Sequence, residues 1–211
     1  MVVTKLGHCA LLLDIKGKRI LTDPGSYTVE AQSTVEDLDY ILYTHEHADH
    51  LHIESLKKIR EKNPQIEIFA NVTAGDLLEK EDIPYKLIQH KDIVTLGEII
   101  IEGIGEKHAE IHSSIPLGDN TGFMIDKRLF YPGDALTNPD REVEILALPV
   151  AGPWLKVSEA VDYALLLKPK NAFPVHDSIR YSFTHRFFEK ILKENDIQFF
   201  PLAEGETQDF Y

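Results

Sequence analysis

Cysteine is almost absent from this chain of 211 residues, in which Cys9 is the single example. One cysteine excludes an internal disulfide and a metal site built from cysteines, and it is typical of a reducing compartment. Long apolar runs are also lacking, because the run at residues 9–13 ends at Asp14. This run is too short to cross a bilayer and no cleavage-site pattern follows it. We therefore expect a cytoplasmic protein with no membrane attachment.

Basic residues are scarce as well. The chain has 22 Lys and Arg against 35 Asp and Glu, which gives a formal net charge of −13. This balance disfavours a broad basic face and therefore a nucleic-acid partner. Apolar residues make up 43% and charged residues 27% of the chain, as in ordinary globular proteins. Since a domain usually takes about 100–200 residues, we expect one domain over residues 1–211.

Short apolar segments alternate with segments that have a single apolar helical face, such as residues 53–61 with Ile53, Leu56 and Ile59. Strands are predicted at 2–4, 9–15, 18–22, 40–44, 66–70, 85–89, 93–96, 99–104, 120–125, 128–131, 144–149, 172–175 and 197–200. Helices are predicted at 53–61, 73–79, 158–167 and 184–193, and residues 24–38 are expected to form a loop with at most one helical turn. Hairpins mixed with strand–helix units predict an α/β fold of four layers, with two mixed sheets covered by helices.

A weak internal similarity links two segments of the chain. Residues 18–25 read KRILTDPG and residues 127–134 read KRLFYPGD. Each segment lies on the second arm of a predicted hairpin. Chance and the duplication of a half-fold both explain this similarity at the sequence level.

The most informative segment follows the predicted strand at 40–44. Residues 44–51 read THEHADHL and bring His45, His47, Asp49 and His50 together within six positions. On an extended segment the first three would share one side, and His50 can reach them as the chain turns into a helix. Imidazole and carboxylate groups suit zinc, iron or manganese. The segment predicts a metal site, and the alternative is a solvated polar loop.

This motif resembles the signature of the metallo-β-lactamase-fold hydrolases. That family has a further His, then an Asp, then a last His, each after a strand, and this chain offers His108, Asp134 and His176 at such places. The resemblance extends over about residues 2–200 and implies the αβ/βα sandwich. Residues 6–13 are also similar to the opening of a branch that includes ascorbate-6-phosphate lactonase-like hydrolases, in which His8 would lie near the metals.

The resemblance implies a site with two divalent cations. The first would be held by His45, His47 and His108, the second by Asp49, His50 and His176, and Asp134 would bridge them. Asp49 and Asp134 would be the catalytic carboxylates. Asp49 could also accept a hydrogen bond from the attacking hydroxide. Zinc is preferred because histidine and aspartate sites with an open position suit it, and manganese and iron stay as alternatives.

Several residues keep two interpretations. His112 competes with His108 as the ligand, and His108 is preferred because it lies closer to the predicted strand at 99–104. His112 would then either line the pocket or support a metal ligand. Asp23 is interpreted either as the group that orients a ligand histidine or as a turn residue before Pro24. Trp154 lies on a Gly- and Pro-rich loop and is assigned either to the wall of the site or to packing. Cys9 is expected to be buried and inert.

The function implied by the resemblance is hydrolysis of a small ester, lactone or amide by an activated hydroxide. A phosphodiesterase or nuclease of the same fold is the alternative, and an iron-dependent redox enzyme is a further one. The expected partner is a small-molecule substrate, and association into a homo-oligomer is compatible with the sequence.

Overall fold

Two seven-stranded mixed sheets organise the computed structural model, which describes residues 1–178 and 182–210. The strands of the first half are β1 Val2–Gly7, β2 Ala10–Ile15, β3 Lys18–Thr22, β4 Tyr40–Tyr43, β5 Glu67–Ala70 and β6 Lys86–Leu87. Those of the second half are β7 Ile93–Leu96, β8 Ile99–Ile104, β9 Gly122–Ile125, β10 Leu129–Tyr131, β11 Ile145–Pro149, β12 Asn171–Val175, β13 Gln198–Phe199 and β14 Thr207–Asp209. The helices are α1 Val29–Gln32, α2 Ile53–Lys62, α3 Val72–Lys80, α4 Val157–Leu167 and α5 Ser182–Lys193.

The two sheets share one topology. Their strand orders are β14-β1-β2-β3-β4-β5-β6 and β13-β12-β11-β10-β9-β8-β7. The central strand of the first sheet, β3, pairs antiparallel with β2 and parallel with β4. The central strand of the second, β10, pairs antiparallel with β9 and parallel with β11. The similar segments 18–25 and 127–134 therefore contain equivalent strands, which favours a duplicated half-fold over chance.

The core between the sheets is built from alternate residues of the central strands. In β11, Ile145 and Ala147 pack in the apolar cluster that also holds Leu11 and Leu13 of the first sheet. Leu146 of the same strand belongs to a different apolar cluster. Because both faces of β11 are buried, its sequence is a continuous apolar run rather than an alternating one.

The helices cover the outer faces of the sheets. Leu56 of α2 and Leu78 of α3 pack with Ile41 of the first sheet, and Ala160 of α4 and Phe188 of α5 belong to the cluster of Leu146. These four layers confirm the predicted α/β sandwich. In the part of the chain that the structure describes, no helix combines the length and the apolar character needed to cross a membrane.

The sequence prediction missed the strand β14. Its residues Thr207–Asp209 are exposed or half-buried and pair antiparallel with β1 at the sheet edge. An exposed edge strand has no buried face to impose an apolar pattern, so the segment had no recognisable signal. The loop predicted at 24–38 contains α1, which is one turn long.

Candidate metal centre

The motif segment forms the connection between β4 and α2. It leaves the buried strand at Tyr43 and turns through backbone hydrogen bonds from His50 and Leu51 to the carbonyl of His47, at 2.9 and 2.8 Å. The side chain of His52 then accepts a hydrogen bond from the backbone N–H of Ser55 and so caps α2. The strand end and the capped helix hold the histidines of the segment in place.

The backbone of the motif segment at residues 48–49 is in close contact with the backbone of residues 25–26. A Cβ atom on Gly25 would lie 1.7 Å from the carbonyl oxygen of Asp49, so only glycine fits there. The neighbouring Ser26 N–H donates to the carbonyl of Ala48 at 2.8 Å. The turn after β3 therefore packs directly against the motif.

The other predicted residues come from loops of the second sheet. His108 follows β8, Asp134 follows β10, and His176 follows β12, all three being buried. The backbone N–H of Ala109 donates to the carbonyl of Asp134 at 2.8 Å, and the N–H of His176 donates to the carbonyl of His8 at 3.0 Å. These bonds join loops that are distant in the sequence.

One group of donors consists of His45, His47, His108 and Asp134, whose ligand atoms all lie within 4.8 Å of one another. His45 Nε2 and His47 Nδ1 are 3.1 Å apart. A tetrahedral zinc ion with bonds of about 2.0–2.1 Å would separate two nitrogen ligands by about 3.3 Å. The group therefore has the chemistry and the dimensions of a metal site.

A second group consists of His8, Cys9, His50 and His176, again with all ligand atoms within 4.8 Å. Asp49 lies at its edge, with Oδ2 3.2 Å from His8 Nε2 and 3.4 Å from His176 Nε2. The side chain of Asp49 is 26% exposed, whereas the side chains of His50 and His176 are at most 4% exposed. The carboxylate of Asp49 thus lies on the open side of the group.

Asp134 lies between the two groups. Its Oδ1 is 3.1 Å from His50 Nε2, and its Oδ2 is 3.0 Å from His176 Nε2 and 3.4 Å from His108 Nε2. Asp134 Oδ1, His108 Nε2 and His176 Nε2 are buried without a hydrogen bond of good geometry among the described residues. Buried polar atoms that converge without partners need a ligand, and their nitrogen and oxygen chemistry fits a divalent cation.

Asp23 lies behind His50 and orients its ring. Its Oδ2 accepts hydrogen bonds from His50 Nδ1 at 2.8 Å, from the Thr44 hydroxyl at 2.6 Å and from the Tyr131 hydroxyl at 2.6 Å. Its Oδ1 accepts the backbone N–H of Thr44 at 2.8 Å. This arrangement fixes the ring of His50 with Nε2 toward Asp134. The structure thus places Asp23 where it would orient a ligand histidine.

The electrostatics of the centre are dominated by facing imidazoles and carboxylates. Burial by itself raises the pKa of Asp134, but the charge of His50 and the close approach of His108 and His176 hold that pKa well below its ordinary value. Burial lowers the pKa of His50, but the neighbouring Asp134, Cys9 and Asp23 together raise it well above the ordinary value. A cation that binds here must displace protons from imidazole.

The structure separates the two histidines that compete after β8. His108 is 4% exposed and belongs to the first group. His112 is exposed, and its Nδ1 pairs with the Ser114 hydroxyl at 2.8 Å. His112 therefore neither joins the described donor groups nor lines the centre as the sequence suggested.

His8 lies beside His176 in the second donor group. It is 2% exposed, and its ring centroid is 4.2 Å from that of His176. His8, Asp23 and His176 all have positive φ angles, of 40°, 38° and 58°. Non-glycine residues rarely adopt this conformation, and such strain is concentrated at functional sites.

Two contacts were not anticipated from the sequence. The indole N–H of Trp154 donates to Asp134 Oδ2 at 2.9 Å, and its ring also packs in the apolar cluster of Leu146, so both interpretations of Trp154 hold. Cys9 was expected to be inert, but its Sγ lies 3.7 Å from His50 Nε2. The predicted burial of Cys9 is confirmed, whereas its contact with His50 was not predicted. Its position directly after His8 in a hairpin turn was the available signal.

Comparison with known proteins agrees with this architecture. A family model described as the beta-lactamase superfamily domain matches residues 2–176. The protein Rv0786c of Mycobacterium tuberculosis is 37% identical over 185 residues, which is 85% of each chain. A UPF0173 metal-dependent hydrolase of Aeropyrum pernix is 28% identical over 82% of this chain and 81% of its own.

The solved structure of Igni18, a novel metallo hydrolase from Ignicoccus hospitalis, superposes with a TM-score of 0.78. It is 20% identical and covers 100% of this chain and 99% of its own. At this identity the likeness concerns the fold. The family match, which extends over more than half of the chain, and the shared fold show that this protein belongs to the beta-lactamase superfamily.

Proposed function

We propose that this protein is a metal-dependent hydrolase that cleaves a small ester, lactone or amide with the help of two divalent cations. The observation that carries the proposal is the convergence of the two donor groups on Asp134, with buried nitrogen and oxygen atoms left without partners. The relative from Aeropyrum pernix is named a metal-dependent hydrolase, which supports the same activity here. Zinc is the preferred ion, ahead of manganese and iron, because the donors are histidine and aspartate.

We assign the residues to the two cations as the family resemblance implies. The first cation would be held by His45, His47 and His108, the second by Asp49, His50 and His176, with Asp134 shared between them. A pair of divalent cations lowers the pKa of water toward neutrality and polarises the bond under attack.

The protein's own groups would orient the reaction. Asp49 is the partly exposed carboxylate, and the His8 ring holds its Oδ2 at 3.2 Å. Asp49 would accept a hydrogen bond from the attacking water and keep it aligned with the scissile carbonyl. Trp154 would hold Asp134 in the shared position, since its indole N–H occupies one lone pair of Oδ2.

The proposal is tested with protein that has been stripped by a chelator and reloaded with Zn²⁺, Mn²⁺ or Fe²⁺. Each form is assayed with panels of lactones, esters, amides and phosphodiesters, and metal content is measured in parallel. We expect about two ions per chain and hydrolysis of carboxylic substrates that is lost in the chelated form. Cleavage of phosphodiesters alone would indicate the nuclease-like alternative, and oxygen consumption by the iron form would indicate a redox enzyme.

A pair of variants links the activity to the centre. Asp134→Ala should abolish turnover and lower the metal content, because it removes the shared carboxylate. Asp49→Asn should reduce the rate while the fold is retained. His112→Ala is the matched control, since His112 is exposed outside the centre. A fully active Asp134→Ala variant with its metal content unchanged would contradict the proposal.

A further inference from the structure

The hairpin turn between β1 and β2 brings a sulfur atom to the second donor group. Gly7 pairs with Ala10, so His8 and Cys9 are the two residues of the turn. Both lie at the end of the first sheet from which the motif segment also emerges. The turn thus delivers Cys9 to the same place as His50, although they are far apart in the sequence.

The backbone of Cys9 lies against two hydroxyl groups. Its carbonyl accepts a hydrogen bond from Thr22 Oγ1 at 3.1 Å and lies 3.3 Å from the Tyr131 hydroxyl oxygen. The single hydroxyl proton of Tyr131 is donated at 2.6 Å to Asp23, the residue that orients His50. Cys9 and His50 are therefore positioned by one connected network.

The distance between the sulfur and the imidazole matches a shared metal ion. Cys9 Sγ lies 3.7 Å from His50 Nε2. With Zn–S of about 2.3 Å and Zn–N of about 2.05 Å, a sulfur and a nitrogen at adjacent positions of a four- or five-coordinate zinc ion would be about 3.1–3.8 Å apart. A second observation points to a ligand at the same place: His176 Nε2 is buried, 4% exposed as a residue, and has no hydrogen bond of good geometry within residues 1–178 and 182–210.

We propose that Cys9 is a thiolate donor to the cation held by His50 and His176. The thiol would lose its proton to solvent when the ion binds, as zinc ligands do. Cys9 is 1% exposed and approaches from the buried side, whereas Asp49 approaches from the open side. The second cation site therefore has a softer set of donor atoms than the first, whose donors are nitrogen and oxygen. A softer set prefers thiophilic ions such as Zn²⁺ and Cd²⁺ over Mn²⁺.

The inference rests on the proposed function in one respect, since it needs a cation at the second group. The test is X-ray absorption spectroscopy of the zinc-loaded full-length protein. We expect a sulfur shell at about 2.3 Å beside nitrogen and oxygen at about 2.0–2.2 Å, with about one sulfur for every two zinc ions. A cobalt-loaded sample should show a thiolate-to-metal charge-transfer band in the near ultraviolet.

Two variants assign the sulfur. Cys9→Ser should remove the sulfur shell and the charge-transfer band, and it should reduce the preference for Cd²⁺ over Mn²⁺. Met124→Leu is the control, since Met124 is a buried sulfur residue in the outer apolar cluster, and it should leave the spectra unchanged. If Cys9→Ser does not fold, the wild-type and Met124→Leu spectra still decide the question.

The outcomes separate this inference from the proposed function. A zinc-loaded, active protein with only nitrogen and oxygen around the metal would overturn the role of Cys9 and leave the hydrolase proposal standing. A sulfur shell that persists in Cys9→Ser would also overturn it. A protein that binds no metal would refute both proposals.

Discussion

Asp23→Asn is the substitution whose effect can be worked out most fully. The carboxylate is 0% exposed and accepts hydrogen bonds on both oxygens, one on Oδ1 and the others on Oδ2. An amide has one acceptor oxygen and one donor NH₂. The better orientation keeps the amide oxygen at the Oδ2 position and turns the NH₂ toward the backbone N–H of Thr44. Two donors then face each other in a buried site.

The loss in the free energy of unfolding follows from this conflict between two donors. A hydrogen bond to a charged acceptor is lost, at about 1.5–3 kcal/mol, and a buried donor is left unsatisfied, at about 1–3 kcal/mol. We expect the free energy of unfolding to fall by about 3–5 kcal/mol, which for a protein of this size lowers Tm by roughly 6–20 °C. The His50 N–H would also face a neutral oxygen, so zinc affinity should fall about 10–100-fold.

The assay is urea unfolding of the chelated protein, combined with zinc titration against a competing chromophoric chelator. Asp140→Asn is a matched control, because Asp140 is exposed and also has a positive φ, of 53° against 38° for Asp23. The control should lose less than about 0.5 kcal/mol, as ordinary surface substitutions do. An Asp23→Asn variant as stable as the control, with wild-type zinc affinity, would refute the orienting role of Asp23.

Three further predictions concern the centre. His108→Ala should lose zinc from the first group and lose activity, while His112→Ala should keep both, as measured by metal content and turnover; equal losses would contradict the placement of the two side chains. Trp154→Phe removes the hydrogen bond to Asp134, so zinc affinity should fall about 10-fold with the fold retained by circular dichroism, and an unchanged affinity would exclude a role for the indole. Because the pKa of His50 is raised, its imidazole holds a proton at neutral pH that a cation must displace, so zinc affinity should rise with pH. Calorimetry in buffers of different ionisation enthalpy should detect proton release, and zinc binding without it would be inconsistent with this electrostatic picture.

Much of the fold was predictable because its signals are local. The buried strands are apolar runs or alternate at period two, and α2 carries Ile53, Leu56 and Ile59 at helical spacing. The motif was equally accessible, since His45, His47 and His50 lie within six positions and chain connectivity keeps them together. The edge strand β14 had no such pattern and was missed.

The rest of the centre depends on contacts between distant segments. Nothing in the local sequence separates His108 from His112 decisively, and the choice is made by backbone bonds from His108 to Gly118 at 3.0 Å and from Ala109 to Asp134 at 2.8 Å. These bonds bury one histidine and leave the other in solvent.

The sequence by itself determined the four-layer fold and the cluster of metal-type donors after β4, because both arise from residues that are near one another along the chain. Only the tertiary structure decided three contacts: the hydrogen bond from Trp154 to Asp134, the hydrogen bond between Asp23 and His50, and the approach of the Cys9 sulfur to His50. Each of those contacts joins residues that lie 20 or more positions apart in the sequence. Each exists only once the strands that carry these residues have paired side by side within a sheet.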